Sequence, residues 1–301
     1  MATIDTILVA TDLSECAERA ENRAAMLAYE HKPRTIELMT VEETGLLDVL
    51  AQLLGSTVEA TRASVSTRAM ELLQSRAARM QDLHGIESSC AIRFGYPAAE
   101  IAARADEIGA DLIVIGAQGR NFLSDLFLGD TADKLVHLCK RPLLVVKNEP
   151  RKTYRSILAP VDFSEDARQA VALALKIAPD AGITLLHAFE VGFEGHMQYA
   201  SVSREVIDKF RIKAREKARL ELNELVSDLN LGDRCLDRVI TFGRPEKVVR
   251  EYAEKSSPDL IVMGKHGRSR LAEMIIGSVT RDTVDQTASD VLIVPAAVSA
   301  K

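Results

Sequence analysis

Residues 258–268 read "PDLIVMGKHGR": an unbroken apolar run, Leu260 to Met263, ends in a turn carrying Gly264 and Gly267 with Lys265, His266 and Arg268. A short β-branched run bounded by a turn signal fits a strand buried on both faces. The stretch has a second copy, "ADLIVIGAQGR" at 110–120, and its neighbours are repeated with it. "TILVATDLSECA" (6–17) lies over "SILAPVDFSEDA" (156–167), and "IELMT" (36–40) over "ITLLH" (183–187). "FGYPAAEI" (94–101) matches "FGRPEKVV" (242–249), and "RPLLVV" (141–146) matches "SDVLIVP" (289–295). Self-similarity in constant order is a tandem duplication. The copies span 1–149 and 153–298, joined near "KNEPRKTY" at 147–154.

Within each copy, strand-like runs such as "TILVA", "DLIVIG" and "PLLVV" alternate with stretches of helical period. One of these is "SEDARQAVALALKIA" (164–178), whose Ser164 followed by Glu165 and Asp166 suits a helix N-terminus. Strand–helix alternation predicts an α/β class, two tandem Rossmann-like domains, each a parallel sheet with helices on both faces. Such sheets take ligands beyond the carboxyl ends of their strands, where the strand order reverses. Asp162 and Gly264 both fall at strand ends of this kind.

Bulk composition narrows the class. At 301 residues the chain exceeds one core, which fits two domains of about 150 residues. It is 47% hydrophobic and 27% charged, with 38 basic against 44 acidic residues and a net charge of -6. That balance argues against bulk nucleic-acid binding. So does the lack of Trp, with aromatics at 4%, which leaves no stacking platform for single strands. No apolar run reaches the roughly 18–20 residues of a membrane span. "MATIDTILVATD" at the start carries Asp5 and Asp12 and no basic region, unlike a signal peptide. Cys16, Cys90, Cys139 and Cys235 are scattered without a CxxC pair. They predict neither zinc nor disulfides, and a reduced, cytoplasmic setting.

The longer stretch "GKHGRSRLAEMIIGSVT" (264–280) has the spacing G-x2-G-x9-G-S and is neither a Walker loop nor GxGxxG. Glycines let backbone N–H groups approach an anion without a Cβ in the way. Ser278 at a helix start adds a hydroxyl and a favourable dipole end, and Lys265, His266 and Arg268 add positive charge. Taken alone, the stretch fits equally a turn at Gly264 and Gly267 followed by a helix break at Gly277.

Together with "PVD" at 160–162, these residues closely resemble the nucleotide-binding branch of the universal stress protein family, whose signature is G-x2-G-x9-G-[ST]. The resemblance runs through both repeats and implies a five-stranded parallel sheet of adenine-nucleotide α-hydrolase type. It implies ATP or ADP as ligand, with Mg²⁺ as an optional bridging ion. Pro160, Val161 and Asp162 would flank the adenine and ribose, the Asp162 carboxylate accepting a sugar hydroxyl. Ala188 would offer backbone groups to the adenine edge. Met263, Gly264, His266 and Gly267 would line the ribose and first phosphates, and Gly277, Ser278, Val279 and Thr280 would hold the outer phosphates. Further implications are pairing of the two repeats through their last strands and a stress sensor or adaptor role. A homodimer is compatible with both. No catalytic residue is expected; at most, slow ATP hydrolysis or autophosphorylation on Ser278 or Thr280 would fit the family.

The first repeat departs from the pattern. "GAQGRNFLSDLFLGDTA" (116–132) keeps Gly116, Gly119 and Gly129, but Asp130 stands in place of Ser278 and Ala117-Gln118 in place of Lys265-His266. Two unit charges about 4 Å apart interact by roughly 4 kcal/mol at an effective dielectric of 20, before salt screening. A carboxylate facing the phosphates is thus expected to weaken the first site, leaving the nucleotide to the second.

Other residues suggest plainer roles. His187 reads as a packed, hydrogen-bonded histidine rather than a catalytic one. His31, His84, His137 and His196 have no partners at ligand spacing, so no metal site is expected. Cys139 and Cys235 read as small hydrophobes, with no base beside them. "TGLLDVLAQLLGS" (44–56) places Leu46, Leu47, Leu50, Leu53 and Leu54 on one helical face. It reads as a lid packed on its own domain, with a partner or apolar-ligand surface as the alternative. The stretch 203–229 reads as a long charged helix with a solvated face, Glu205 and Lys209 pairing at i,i+4.

Overall fold

The apolar runs that the repeats share all form strands. In this computed structural model, which describes residues 4–119, 128–190, 203–267 and 276–295, the chain divides between Thr153 and Tyr154. Arg268 and His196 lie outside the described residues, as do residues 296–298 at the end of the second repeat.

Unit 1 contains β1 (Thr6–Ala10), β2 (Thr35–Glu42), β3 (Ser89–Phe94), β4 (Leu112–Gly116) and β5 (Leu143–Val146). They form a parallel sheet in the order β3-β2-β1-β4-β5. Its helices are α1 (Glu15–His31), α2 (Thr44–Leu54), α3 (Val58–His84), α4 (Pro97–Glu107) and α5 (Asp130–Leu138). Unit 2 repeats the plan with β6 (Ser156–Pro160), β7 (Gly182–Phe189), β8 (Cys235–Phe242), β9 (Leu260–Gly264) and β10 (Asp290–Val294). Their order is β8-β7-β6-β9-β10, again parallel. Here the described helices are α6 (Glu165–Ile177), α7 (Arg204–Asp228), α8 (Pro245–Ser256) and α9 (Ser278–Gln286).

Because parallel crossovers are right-handed, windings that leave the first strand in opposite directions put helices on opposite faces of the sheet. The central strands are therefore covered on both sides, and Ile7, Leu8, Leu112 and Ile113 in unit 1 and Leu260, Ile261 and Leu292 in unit 2 have no exposed area. The helix starts follow local chemistry. Ser14 and Ser164 accept the Ala17 and Ala167 N–H groups and cap α1 and α6, while Pro97 and Pro245 open α4 and α8.

A device repeated in both units lies at the opposite end of the sheet. Asp111 Oδ2 accepts the Asp5 and Thr6 N–H groups at 2.8 and 3.0 Å. Asp259 Oδ2 accepts those of Arg155 and Ser156 at the same two distances. Each carboxylate fastens the start of a unit's first strand to the residue before its fourth.

The apolar stripe on α2 departs from the sequence expectation. Leu47 and Ala51 are buried and Leu50 is half-buried, while Leu46, Leu53 and Leu54 are 51%, 77% and 70% exposed. The spacing i, i+4 buries one pair, and three of the five leucines face outward. Among the described residues α7 carries the pairs Arg219–Glu216 and Arg211–Asp208 at i,i+3, and its Asp228 pairs with Arg168, rather than the expected Glu205–Lys209.

Unit 1 also buries a carboxylate that unit 2 lacks. Glu21 on α1 is 3% exposed, accepts the Thr11 hydroxyl at 2.6 Å and lies 3.6 Å from Arg76 of α3. Val161 and Val171 occupy the matching places in unit 2. Burial pushes the Glu21 carboxyl up, against the pull of Thr11 and Arg76. The folded chain therefore holds this proton to a higher pH than the unfolded chain, and stability from this group is lost as pH rises through the folded titration. Glu21→Gln is expected to gain stability relative to wild type near pH 7, the gap closing as pH falls toward the ordinary carboxylate range. Urea unfolding of both proteins across that window measures it, and a gap that widens on acidification contradicts the assignment.

Candidate functional site

The strand order puts β6 between β7 and β9, with the chain winding outward from β6 to one side and then returning to the other. The carboxyl ends of β6 and β9 thus flank the crevice where α/β sheets take ligands. Asp162 stands just past β6. Its Oδ1 accepts the Ser164 N–H at 3.0 Å and the Ser164 hydroxyl at 2.5 Å. This is a side-chain turn, with Phe163 in the left-handed region at φ 63°. Its Oδ2 lies where a Cβ on Gly267 would come within 2.9 Å. Glycine here lets the loop after β9 pass this close to the carboxylate without displacing it.

That loop is closed by backbone. The Lys265 N–H donates to Val294 O at 2.8 Å, and the Gly277 N–H donates to Lys265 O at 3.0 Å. The Thr280 hydroxyl donates to Gly264 O at 2.9 Å. These bonds hold the start of α9 against the end of β9, so Gly277 lies beside Lys265 and Gly267. An open cleft of about 500 Å³ lies between α8 and α9, lined by Arg244, Glu246, Lys247, Arg250, Ser278 and Arg281 among others.

The residues singled out from sequence gather here but play unequal parts. Asp162 lies close to Gly267, Gly277 close to Gly267, and His266 close to Asp166, which abuts Gly264. Met263 is 5% exposed and packs with Leu158, Val249 and Ile261, and Ala188 and Val279 lean on the same cluster. The side chains of Met263 and Val279 therefore belong to the core, which leaves these positions their backbone groups to offer. Pro160 is half-buried and has no N–H. Val161 is 5% exposed; its N–H donates to Leu186 O at 2.9 Å, and its carbonyl accepts from His187 Nδ1 at 2.7 Å. A carbonyl acceptor fixes His187 as the Nδ1–H tautomer, and its ring lies 4.4 Å from that of Phe163.

Two hydroxyls expected on the outer phosphates diverge. That of Thr280 is engaged inside the loop, as above. That of Ser278 donates to Glu246 Oε1 on α8 at 2.8 Å. Glu246 is held below the usual carboxylate range by a backbone hydrogen bond and by Ser278. It was not singled out from sequence, although the repeat carries a signal, since Ala98 stands at the matching place in unit 1.

Unit 1 keeps the cradle's backbone. Gly129 N–H donates to Ala117 O at 2.7 Å and Ala117 N–H to Val146 O at 2.9 Å. Asp12 Oδ1 accepts the Ser14 N–H at 3.0 Å, and a Cβ on Gly119 would lie 2.6 Å from Asp12 Oδ2. The sequence expectation had Asp130 facing the phosphates. In the structure its side chain is 78% exposed and paired with Lys134 at 2.6 Å, raising the Lys134 ammonium. The units differ instead in what lines the same backbone: Ala117, Gln118, Ala132 and Asp133 in unit 1 against Lys265, His266, Thr280 and Arg281 in unit 2. Among the described residues no group of three or more His, Cys, Asp or Glu side chains is placed to hold a metal ion.

Comparison with known proteins agrees with this duplication. The sequence model of the universal stress protein family matches residues 3–147 and again 153–295. A universal stress protein of Methanocaldococcus jannaschii is 29% identical over 154 residues, covering 47% of this chain and 94% of its own. One from Mycobacterium tuberculosis is 28% identical over 183 residues, and the match covers 57% of each chain. The solved universal stress protein of Archaeoglobus fulgidus has a TM-score of 0.66 at 18% identity, covering 98% of this chain and 99% of that one. At that identity the likeness is one of fold.

Proposed function

The chain belongs to the universal stress protein family, matched once in each half, and from that premise we propose that unit 2 binds ATP or ADP and that the protein serves as a nucleotide-responsive stress sensor or adaptor. The observation that carries this reading is the Asp162 carboxylate, held by Ser164 in a turn and set beneath Gly267 at the strand-order switch. A carboxylate there suits paired sugar hydroxyls, and the glycine turn with the α9 N-terminus suits the phosphates that follow. Lys265, His266 and Arg281 line this end of unit 2, where unit 1 has Ala117, Gln118 and Asp133. The adjoining cleft mixes charges, Arg244, Lys247 and Arg250 facing Glu246, Asp282 and Asp285, with Arg250 paired to Asp282.

Ser278 and Glu246 do not make an activated nucleophile. A carboxylate held below its usual range is a weak base, so binding rather than turnover is the role assigned. The four cysteines are free thiols, which supports a cytoplasmic setting. No described helix is long and apolar enough to cross a membrane.

Calorimetric titration of ATP into nucleotide-stripped protein tests the reading, with one site per chain expected. Two sites would show that the cradle of unit 1 is also used. No binding would overturn the proposal and favour the second reading, a scaffold that docks a partner or apolar ligand on the exposed leucines of α2.

A further inference from the structure

We infer that Asp166 and His266 couple nucleotide binding in unit 2 to the uptake of a proton, His266 meeting a phosphate as an imidazolium with Asp166 as its positioning residue. The inference rests on the nucleotide site proposed for unit 2. His266 lies between Gly264 and Gly267 in the loop that leaves β9, and Asp166 lies in the first turn of α6. His266 Nδ1 is 3.6 Å from Asp166 Oδ2, and the two side chains are 13% and 2% exposed. The separation exceeds a hydrogen bond but falls within ion-pair reach. The elements carrying the two residues pack closely, since a Cβ on Gly264 would sit 2.9 Å from Asp166 Cβ.

The second ring nitrogen carries the argument further. His266 Nε2 is buried and has no hydrogen-bond partner among the described residues. A buried polar atom left unmatched is costly, and this one belongs to the loop proposed to receive phosphate. A phosphate oxygen at Nε2 would satisfy it only if Nε2 carried a proton. With Nδ1 facing a carboxylate, both nitrogens donate only in the imidazolium form. Binding an anion at one nitrogen while the other faces Asp166 therefore draws a proton onto the ring.

The duplication supplies a control. At the places of Asp166 and His266, unit 1 has Cys16 and Gln118, neither of which can form a carboxylate–imidazolium pair. The other charged groups around the loop do not replace it as the source of a pH response. Lys265 on the loop, buried at 4% exposure, and Arg281 on α9 are the basic side chains there. Asp162 after β6, Glu246 on α8 and Asp282 on α9 are carboxylates, and Glu246 is held below the usual carboxylate range.

The test is calorimetry of ATP binding to the full chain between pH 7.5 and 8.5, in buffers of contrasting ionisation enthalpy. In that window the nucleotide's phosphates are essentially ionised, their last proton leaving near pH 6, while an ordinary imidazole is largely neutral. The wild type is expected to take up close to one proton per ATP. Its affinity is expected to fall by up to about tenfold per pH unit, as linkage to one proton requires. His266→Gln, which installs the side chain that unit 1 carries at this place, is expected to bind with no uptake and a flat profile. Asp166→Asn is expected to retain binding with the profile displaced to lower pH, a change that a purely structural role would not produce. Proton-neutral binding by the wild type, or undiminished uptake by His266→Gln, overturns the inference and leaves the nucleotide site standing. No ATP binding at all overturns the proposed site itself.

Discussion

Gly264→Val is expected to abolish ATP binding by the full chain and to lower the melting temperature of unit 2 by several degrees. At this position even a Cβ alone would lie 2.9 Å from Asp166 Cβ, 3.1 Å from the Asp166 carbonyl carbon and 3.2 Å from the Ala167 nitrogen. Two of these are backbone atoms in the first turn of α6, so no side-chain rotation relieves the clash. The helix start must retreat, carrying with it the Ser164 cap and the turn that holds Asp162. Overpacking of this kind costs roughly 1–3 kcal/mol, worth about 2–4 °C per kcal/mol in a domain of about 150 residues. Gly116→Val is the matched control, because its Cβ would meet Cys16 O at 3.2 Å and Ala17 Cα at 3.5 Å. It is expected to destabilise unit 1 and leave ATP affinity unchanged. Normal ATP binding by Gly264→Val would mean that the nucleotide is not held at this strand end.

Why the valine is so damaging in unit 2 could not be read from the motif, and the reason is general. Periodicity and repeat alignment report what each backbone segment does, since a buried strand needs an apolar run wherever it lies in the chain. They place β1, β4, β6 and β9, the Ser164 cap and the glycine turn, all of them local features. They are silent on which side chains meet across space. The Asp259 staple joins residues 103 and 104 positions apart, and the Ser278–Glu246 bond joins residues 32 apart. Asp166 and His266 sit on different elements altogether. Each of these pairs is set by the strand order, which the sequence encodes only through the packing of the whole sheet. Asp130 illustrates the same limit. Its position in the motif suggested a carboxylate aimed at phosphate, and the motif gave no sign of the pair it makes with Lys134 one helical turn later. Likewise α2 has an apolar stripe legible at helical period, yet periodicity cannot say whether the stripe or Leu47 and Ala51 will meet α3. The repeat was the better guide, since each chemical difference between the units marks a place where one copy has been adapted.

That comparison yields the sharpest test of where the nucleotide sits. Asp162→Ala is expected to weaken ATP binding by roughly 10–150-fold, the loss of about 1.5–3 kcal/mol for hydrogen bonds to a charged acceptor, while Asp12→Ala leaves it unchanged. The two substitutions make comparable structural lesions, although Asp162 also accepts the Ser164 hydroxyl at 2.5 Å. Each removes a carboxylate that accepts a serine N–H two residues on, at 3.0 Å in both units, and each opens the same space beneath a glycine loop. Their effects on folding are therefore expected to be similar, with only the effect on ligand setting them apart. A fall in affinity confined to Asp12→Ala would move the nucleotide to unit 1, where Ala117, Gln118 and Asp133 would have to receive the phosphates. Equal falls in both would mean two working sites. Because both variants keep the glycine turns and helix starts, any residual affinity of Asp162→Ala measures the share held by the phosphate end of the cradle. A large residue would place the main grip at Gly267, Gly277 and the α9 N-terminus, and a small one would place it at the sugar.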